Sequence, residues 1–306
     1  MDRDKVDFAG IMDHRQVRHM YLDAFDPKYF LYGTEPAIIL PELGPGATPH
    51  YLMLFQSRED LADKILTKFP EEYKFTGGPE GFFEYKKVTL ERFREIAKAV
   101  LDADGAFVHA HPKQVLQSDN WENYYYGERT AIEIIYAVNA NPVLCKYTID
   151  NYKLWLDMLK NGKHVFNTAT TDAHEKPSRI LKGINTVYTE KRWGPLFVKK
   201  LREGDLNSGF MGIKMSIDSL PVGSESQYRD GMKLYIRIDD IHPKLKTNDE
   251  YRVDVITDKG LAYSAPLTPG FSLALNVQKR AFYRAEVIKE SDGTPAAIGN
   301  PIWLDK

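Results

Sequence analysis

Short apolar runs recur along the chain, and most of them stop at, or start from, an acidic residue or a histidine. The run from Val6 to Met12 leads into Asp13 and His14. Tyr29 to Tyr32 leads through Gly33 and Thr34 to Glu35, and His50 opens the run Tyr51 to Phe55. Gly105 to Val108 leads into His109, Ala110, His111 and Pro112. His164 to Thr171 leads into Asp172, Ala173 and His174. Short apolar stretches of this kind read as buried strands, so the polar residues mark places where a strand leaves the core. In a barrel of parallel strands, that end carries the chemistry.

Helical patterns alternate with these strands through the first two thirds of the chain. Ser57 to Phe69 has a serine N-cap, apolar residues at helical spacing and a stop at Pro70. Thr89 to Leu101 is amphipathic behind a threonine cap. Asp150 to Asn161 is closed by Gly162, and Trp193 to Glu203 by Gly204, glycine being the usual residue just past a helix end. Alternation of strands and helices predicts an α/β layer or barrel with a mostly parallel sheet. Between Phe69 and Lys87 the period fades among turn formers, which predicts a surface excursion or a loop covering a substrate.

After about Gly209 the pattern changes to period two. Lys233 to Asp239, Tyr251 to Ile256, Ser272 to Val277 and Ala281 to Ile288 alternate apolar and polar residues, with turn formers between them. This predicts half-buried antiparallel strands with hairpin connections, a small β-sandwich over residues 211–306. Residues 1–210 then form the α/β domain.

Composition narrows the chemistry. The chain has 306 residues, with 41 Lys plus Arg against 43 Asp plus Glu, a net charge of -2. That balance offers no overall attraction for nucleic acid or an anionic membrane. No run approaches the roughly twenty apolar residues that cross a bilayer, so a cytoplasmic protein is expected. The single cysteine, Cys145, excludes an intramolecular disulfide framework and a thiolate metal cage, and reads as a buried filler. Any one histidine near a strand reads as structural, the chain having 8. A series of imidazoles and carboxylates in one strand-end context points instead to a site for divalent metal. His19, His164 and His242 lack that context and read as structural or solvated. His109 shares a strand face with His111 and is a candidate to orient a ligand.

The order Asp13-His14, Glu35, His50, His111-Pro112, Asp172-x-His174 resembles the polymerase and histidinol phosphatase (PHP) family of metal-dependent phosphoesterases. Gly33-Thr-Glu35 looks like the family's Gly-x-Glu, and Ala297 to Trp303 is similar to the Asn-Pro-Ile ending of a subgroup with a C-terminal β-domain. The resemblance implies an incomplete or distorted (β/α)7-type barrel. It also implies one to three divalent ions (Zn, Mn or Fe) and hydrolysis of a small phosphorylated substrate by a metal-activated water. Glu35, His50 and His111 would hold one ion, Asp172 would join Glu35 at a second, and His14 and His174 would share a third. Asp13, Glu35, Asp172 and Arg15 would take part in catalysis, with Arg15 pairing a phosphate oxygen.

The family's first motif, a strand followed by His-x-His, has no counterpart before Val6. We therefore expect either a natural protein with a further strand upstream or a degenerate member of the family. The first is favoured, because a barrel lacking its first strand exposes unpaired edges. A binding or scaffold protein that has lost turnover, and a metallohydrolase acting on a non-phosphate ester or amide, are the alternatives to the phosphoesterase.

Overall fold

The computed structural model describes residues 6–75, 77–80, 86–112, 129–136, 146–172, 183–239, 242 and 249–305. The chain forms two compact units that do not follow a division at residue 210. Met1–Ile132 and Thr189–Arg202 make one; Glu133–Tyr188 and Glu203–Lys306 make the other.

In the first unit the apolar runs are strands, but their directions are mixed. The elements are β1 (Ala9–Gly10), β2 (Phe30–Thr34), β3 (Ile38–Ile39), β4 (His50–Phe55), β5 (Lys86–Lys87), β6 (Ala106–Ala110) and the start of β7 (Ala131–Tyr136). The main sheet runs β1-β2-β4-β6-β7, while β3 pairs with β5. β1 and β2 are parallel, β2/β4 and β4/β6 antiparallel, and β6/β7 parallel again.

This overturns the expected (β/α)7-type barrel. Such a barrel needs parallel neighbours joined by helical crossovers. Here β2 returns to β4 through β3 and a 3-10 turn at Pro41–Leu43, without an α-helix. Strand, at 38%, also outweighs helix, at 24%.

The capping signals are realised. Helix α1 (Arg58–Leu61) starts behind Ser57, whose Oγ accepts from the Asp60 N–H at 3.0 Å, and a π-helical turn continues it over Ala62–Leu66. After the short helix α2 (Pro70–Tyr73), α3 (Leu90–Asp102) starts behind Thr89, whose Oγ1 accepts from Arg92 N–H at 3.1 Å. Residues 76 and 81–85 of the excursion lie outside the described residues. Phe93, Ile96, Ala97 and Val100 form the buried stripe of α3. They join a core in which Tyr51 of β4 stacks on Phe107 of β6 at 5.1 Å between ring centroids.

The second unit begins with the remainder of β7, helix α4 (Lys146–Lys160) and β8 (Phe166–Thr170), which lies beside β7. Helix α5 (Gly194–Glu203) falls almost wholly in the first unit and ends at Gly204, φ +71°. Next come β9 (Asn185–Thr186), β10 (Asn207–Gly209), β11 (Gly212–Ile217), β12 (Leu220–Pro221) and β13 (Lys233–Asp239). The last strands are β14 (Tyr251–Thr257), β15 (Gly260–Pro266), β16 (Ser272–Asn276), β17 (Phe282–Lys289), β18 (Pro295–Gly299) and β19 (Ile302–Trp303).

These strands make an antiparallel sheet ordered β15-β14-β17-β18-β10-β9, with β19 on β17, and a second ordered β12-β11-β13-β16. Period-two side chains from both sheets, such as Ile217 and Ile236 against Val255 and Val287, share one core. β17 is buried on both faces. Its outer Arg284 and Glu286 pair with each other, the Tyr152 hydroxyl of α4 donates to Glu286 at 2.5 Å, and Arg284 lies 5.1 Å from the Trp155 ring. Pairing is what makes two buried charges tolerable there.

Asn300, in the Asn-Pro-Ile segment, is a structural clamp. Its Oδ1 accepts from the Asn167 backbone N–H at 2.6 Å and its Nδ2 donates to the carbonyls of Asn167 and Leu206 at 3.2 and 3.3 Å.

Candidate metal centre

The site lies in the first unit, at the edge of the β2-β4-β6 sheet. Glu35 follows β2 and is fixed by its backbone: its N–H donates to the Asp13 carbonyl at 3.1 Å, and its carbonyl accepts from Arg15 N–H at 3.0 Å. His14 and Glu35 thereby become bridge partners. Thr34, fully buried, ties the same segment down by donating to the carbonyls of Asp13 and Gln16 at 3.1 and 2.8 Å. Gly33 permits this close packing. A Cβ there would stand 2.5 Å from Met12 Sδ and 2.6 Å from the Met53 carbonyl oxygen.

His50 is the first residue of β4, and β4 runs opposite to β2 and β6. Its start therefore reaches the edge where β2 and β6 end, with Ala37 and Ala110 as its cross-strand partners. His111, one residue past β6, has a φ of +28°, an uncommon conformation for a non-glycine residue. By strand alternation His109 faces with Tyr51 and Phe107. Its ring lies 5.2 Å from Phe107 and 6.3 Å from Phe93, inside the core, where burial lowers its pKa to about 3. The backbone turn at His111 separates the two histidines that a regular strand would have kept on one face.

The donor atoms converge. His50 Nδ1 lies 2.9 Å from Glu35 Oε1 and 3.3 Å from His111 Nε2, which is itself 3.7 Å from Glu35 Oε1. On the other side of the carboxylate, His14 Nε2 lies 3.8 Å from Glu35 Oε2. Donors bound to one ion at 2.0–2.2 Å with near-tetrahedral angles stand about 3.4 Å from each other. The donor set and the spacing both fit a divalent ion, and His14, Glu35 and His50 each offer one ligand atom within 4.8 Å of the others. His111 and Glu35 are buried, His50 is 15% exposed and His14 32%, so the cluster opens to solvent on the His14 side.

The other expected site residues fall as follows. The Asp13 carboxylate is held by buried His19, Nδ1 to Oδ2 3.1 Å. That hydrogen bond, with the charge of His19, holds its pKa below the usual carboxylate range. His19 is thus part of the support for this loop. The sequence reads His19 as structural or solvated but does not reveal its partner, because nothing local marks an acid six residues before a histidine that sits in a 3-10 turn (Arg18–Tyr21). Arg15 takes a left-handed backbone conformation, φ +57°, beside Glu35. Asp172 follows β8 in the second unit, with φ +41°. His174 and Cys145 lie outside the described residues. His164 is buried between Glu225 at 2.8 Å and Asp305 at 3.4 Å and stacks on Trp303 at 4.6 Å, a structural role.

No protein-family model and no curated protein sequence matches the chain. Among the described residues, no helix is long and apolar enough to cross a membrane.

Proposed function

We propose that the protein is a metal-dependent hydrolase, acting on a phosphate ester, with its centre at Glu35, His50, His111 and His14. The reading rests on one observation: three donor atoms of the hard-to-borderline type stand 2.9 to 3.7 Å from each other on a carboxylate whose second oxygen faces a fourth donor. Zn, Mn or Fe is the ion class these donors suit. Such an ion, when bound, lowers the pKa of a coordinated water and polarises a phosphoryl oxygen.

The chain's own residues do the rest. Glu35 supplies the negative charge, and its two oxygens reach donors on both sides. Half-buried His50 and buried His111, at the sheet edge, hold the inner side rigidly, as a precise site requires. His14 stands at the mouth, where a water or substrate oxygen would enter. Asp13, kept ionised by His19, adds negative charge near His14 and is a poor proton acceptor. The likeness to the PHP motifs favours a phosphoryl over a carbonyl substrate.

Metal content and turnover of a nitrophenyl phosphate, measured on one sample with Zn, Mn and Fe supplied in turn, test the proposal. Bound metal with turnover that is lost in His50→Ala supports it. Bound metal without turnover of phosphate or carboxylate esters replaces it with a binding role, and failure to bind any of the ions removes it.

A further inference from the structure

Between Lys259 and Lys279 the chain carries no charged residue, although 27% of its residues are charged. That stretch contains β15 and β16, the edge strands of the two sheets in the second unit. Among the described residues β15 pairs with β14 alone and β16 with β13 alone. Both edges lie on one flank of the sandwich, because residues 267–271, which join them, reach about 20 Å at most. The ends of that link are tied to the neighbouring strands: Leu267 N–H donates to the Tyr251 carbonyl at 2.8 Å, and Ile238 N–H to the Phe271 carbonyl at 3.4 Å. Leu261 and Tyr263 of β15 are exposed there.

An open edge presents a row of free N–H and C=O groups, and proteins guard such edges with charge, proline, a bulge or a cover. β15 has two of these guards, a register shift opposite Val255 and Ile256 and a proline at its end, Pro266. β16, Ser272-Leu-Ala-Leu-Asn276, has neither: its register against β13 is regular, and Ser272, Ala274 and Asn276 are exposed. Its inner face is also unfinished. Leu273 and Leu275 stand opposite buried Ile236 and Leu234 and pack against the core, yet they stay half-buried because β16 is the last strand of its sheet.

We propose that β16 pairs antiparallel with β16 of a second copy of this chain, across a two-fold axis at Ala274. The strand's own symmetry argues for that occupant. About Ala274, Leu273 of one copy faces Leu275 of the other on the inner face, so the half-buried leucines of both copies cover one another. On the outer face Ser272 meets Asn276 and Ala274 meets itself, and no charge or bulky side chain is opposed. A neutral strand selects neither an acidic nor a basic partner, and a second copy supplies a neutral edge of equal length. The nearest like charges, Arg237 of one copy and Lys233 of the other, would lie three strand spacings apart, roughly 14 Å. That exceeds the screening length of about 8 Å in physiological salt. Two-fold pairing uses the same edge of both copies, so assembly through it stops at a dimer. The proposal is independent of the metal-centre reading.

The test is sedimentation equilibrium of the full chain in EDTA, so that no ion bridges two copies. A contact this small belongs with the transient interfaces, so the concentration should run from about 5 to about 500 µM. A monomer–dimer equilibrium is expected, with amide exchange in Ser272–Asn276 slowing as the dimer forms. Ala274→Lys sets two lysines against each other at the axis and should weaken the dimer about tenfold or more, as should Ala274→Glu. An equimolar mixture of the two variants should restore association at least to the parent's level. Position 274 is exposed, and recovery in the mixture itself shows that both variants fold. A chain that stays monomeric at about 500 µM overturns the proposal and leaves the edge to a strand from another protein. So does a dimer that Ala274→Lys leaves intact, or one that the mixture fails to restore, since the copies then do not pair across Ala274.

Discussion

Glu35→Gln tests the metal centre most sharply, because its effects with and without metal should have opposite signs. Glutamine keeps the shape and removes the charge that faces His50 at 2.9 Å, His111 at 3.7 Å and His14 at 3.8 Å. Losing a group that merely supports a ligand lowers metal affinity about 10–100-fold. Losing the anionic ligand itself should cost at least about 100-fold, or about 2.8 kcal/mol at 1.4 kcal/mol per decade. Without metal the sign reverses. A carboxylate only 5% exposed is costly to bury, so the variant should be at least as stable as the parent.

Thermal melting with and without Zn or Mn reads both effects. Metal at about 100 times its Kd adds about 2.7 kcal/mol, a rise of roughly 4 °C for a chain of this size. The variant, near its Kd at the same concentration, should gain only about 1 °C. Equal metal-induced shifts in parent and variant would refute the assignment of Glu35 as a ligand. A parent that no divalent ion stabilises would refute the centre itself.

Other consequences are open to direct measurement. Burial puts His109 at a pKa of about 3 in the folded protein, against about 6.5 when unfolded. The unfolded chain therefore takes up a proton that the native state refuses. Stability should fall as pH drops from about 6.5 towards 3, by at most about 1.4 kcal/mol per pH unit. His109→Leu should flatten that limb, and superimposable pH–stability curves would contradict the buried neutral imidazole. Asn300→Ala removes the acceptor for a buried backbone N–H and should cost about 2–3 kcal/mol in denaturant unfolding, whereas a loss well under 1 kcal/mol would deny the clamp. Thr89→Ala should cost about 1 kcal/mol through the lost cap on α3, and no change in midpoint would argue against that cap.

Much of the candidate site was legible in the sequence, because the signals were local. The apolar runs before Glu35, after His50 and before His109 are strands, since a short apolar segment between turn formers has few other ways to bury itself. Ser57 and Thr89 cap their helices because a side-chain oxygen before an amphipathic stretch meets free N–H groups. Glu35, His50 and His111 were grouped from motif order and not from any rule of chain folding, whereas the group that could hold an ion is His14, Glu35 and His50, with His111 Nε2 3.3 Å from His50 Nδ1. His109 shows the limit. Its alternation with His111 is real in sequence, and one residue with φ +28° sends the two apart.

The directions of the strands were hidden for a deeper reason. Periodicity reports which face of a strand is buried, and the answer is the same whether the neighbour runs parallel or antiparallel. Read as parallel, the runs made a barrel; paired as they are, β4 runs against both neighbours. One clue stood in the chain: His50 opens its run, whereas Glu35 follows its own and His111 ends its own. Only an antiparallel β4 brings the start of one strand to the ends of the other two. The sequence by itself determined the strands, the caps, the period-two pattern of the later strands and the imidazole and carboxylate residues at the strand ends. Tertiary structure decided the pairing, and with it which histidine faces the carboxylate and which is lost to the core, because pairing depends on contacts between residues far apart in the chain.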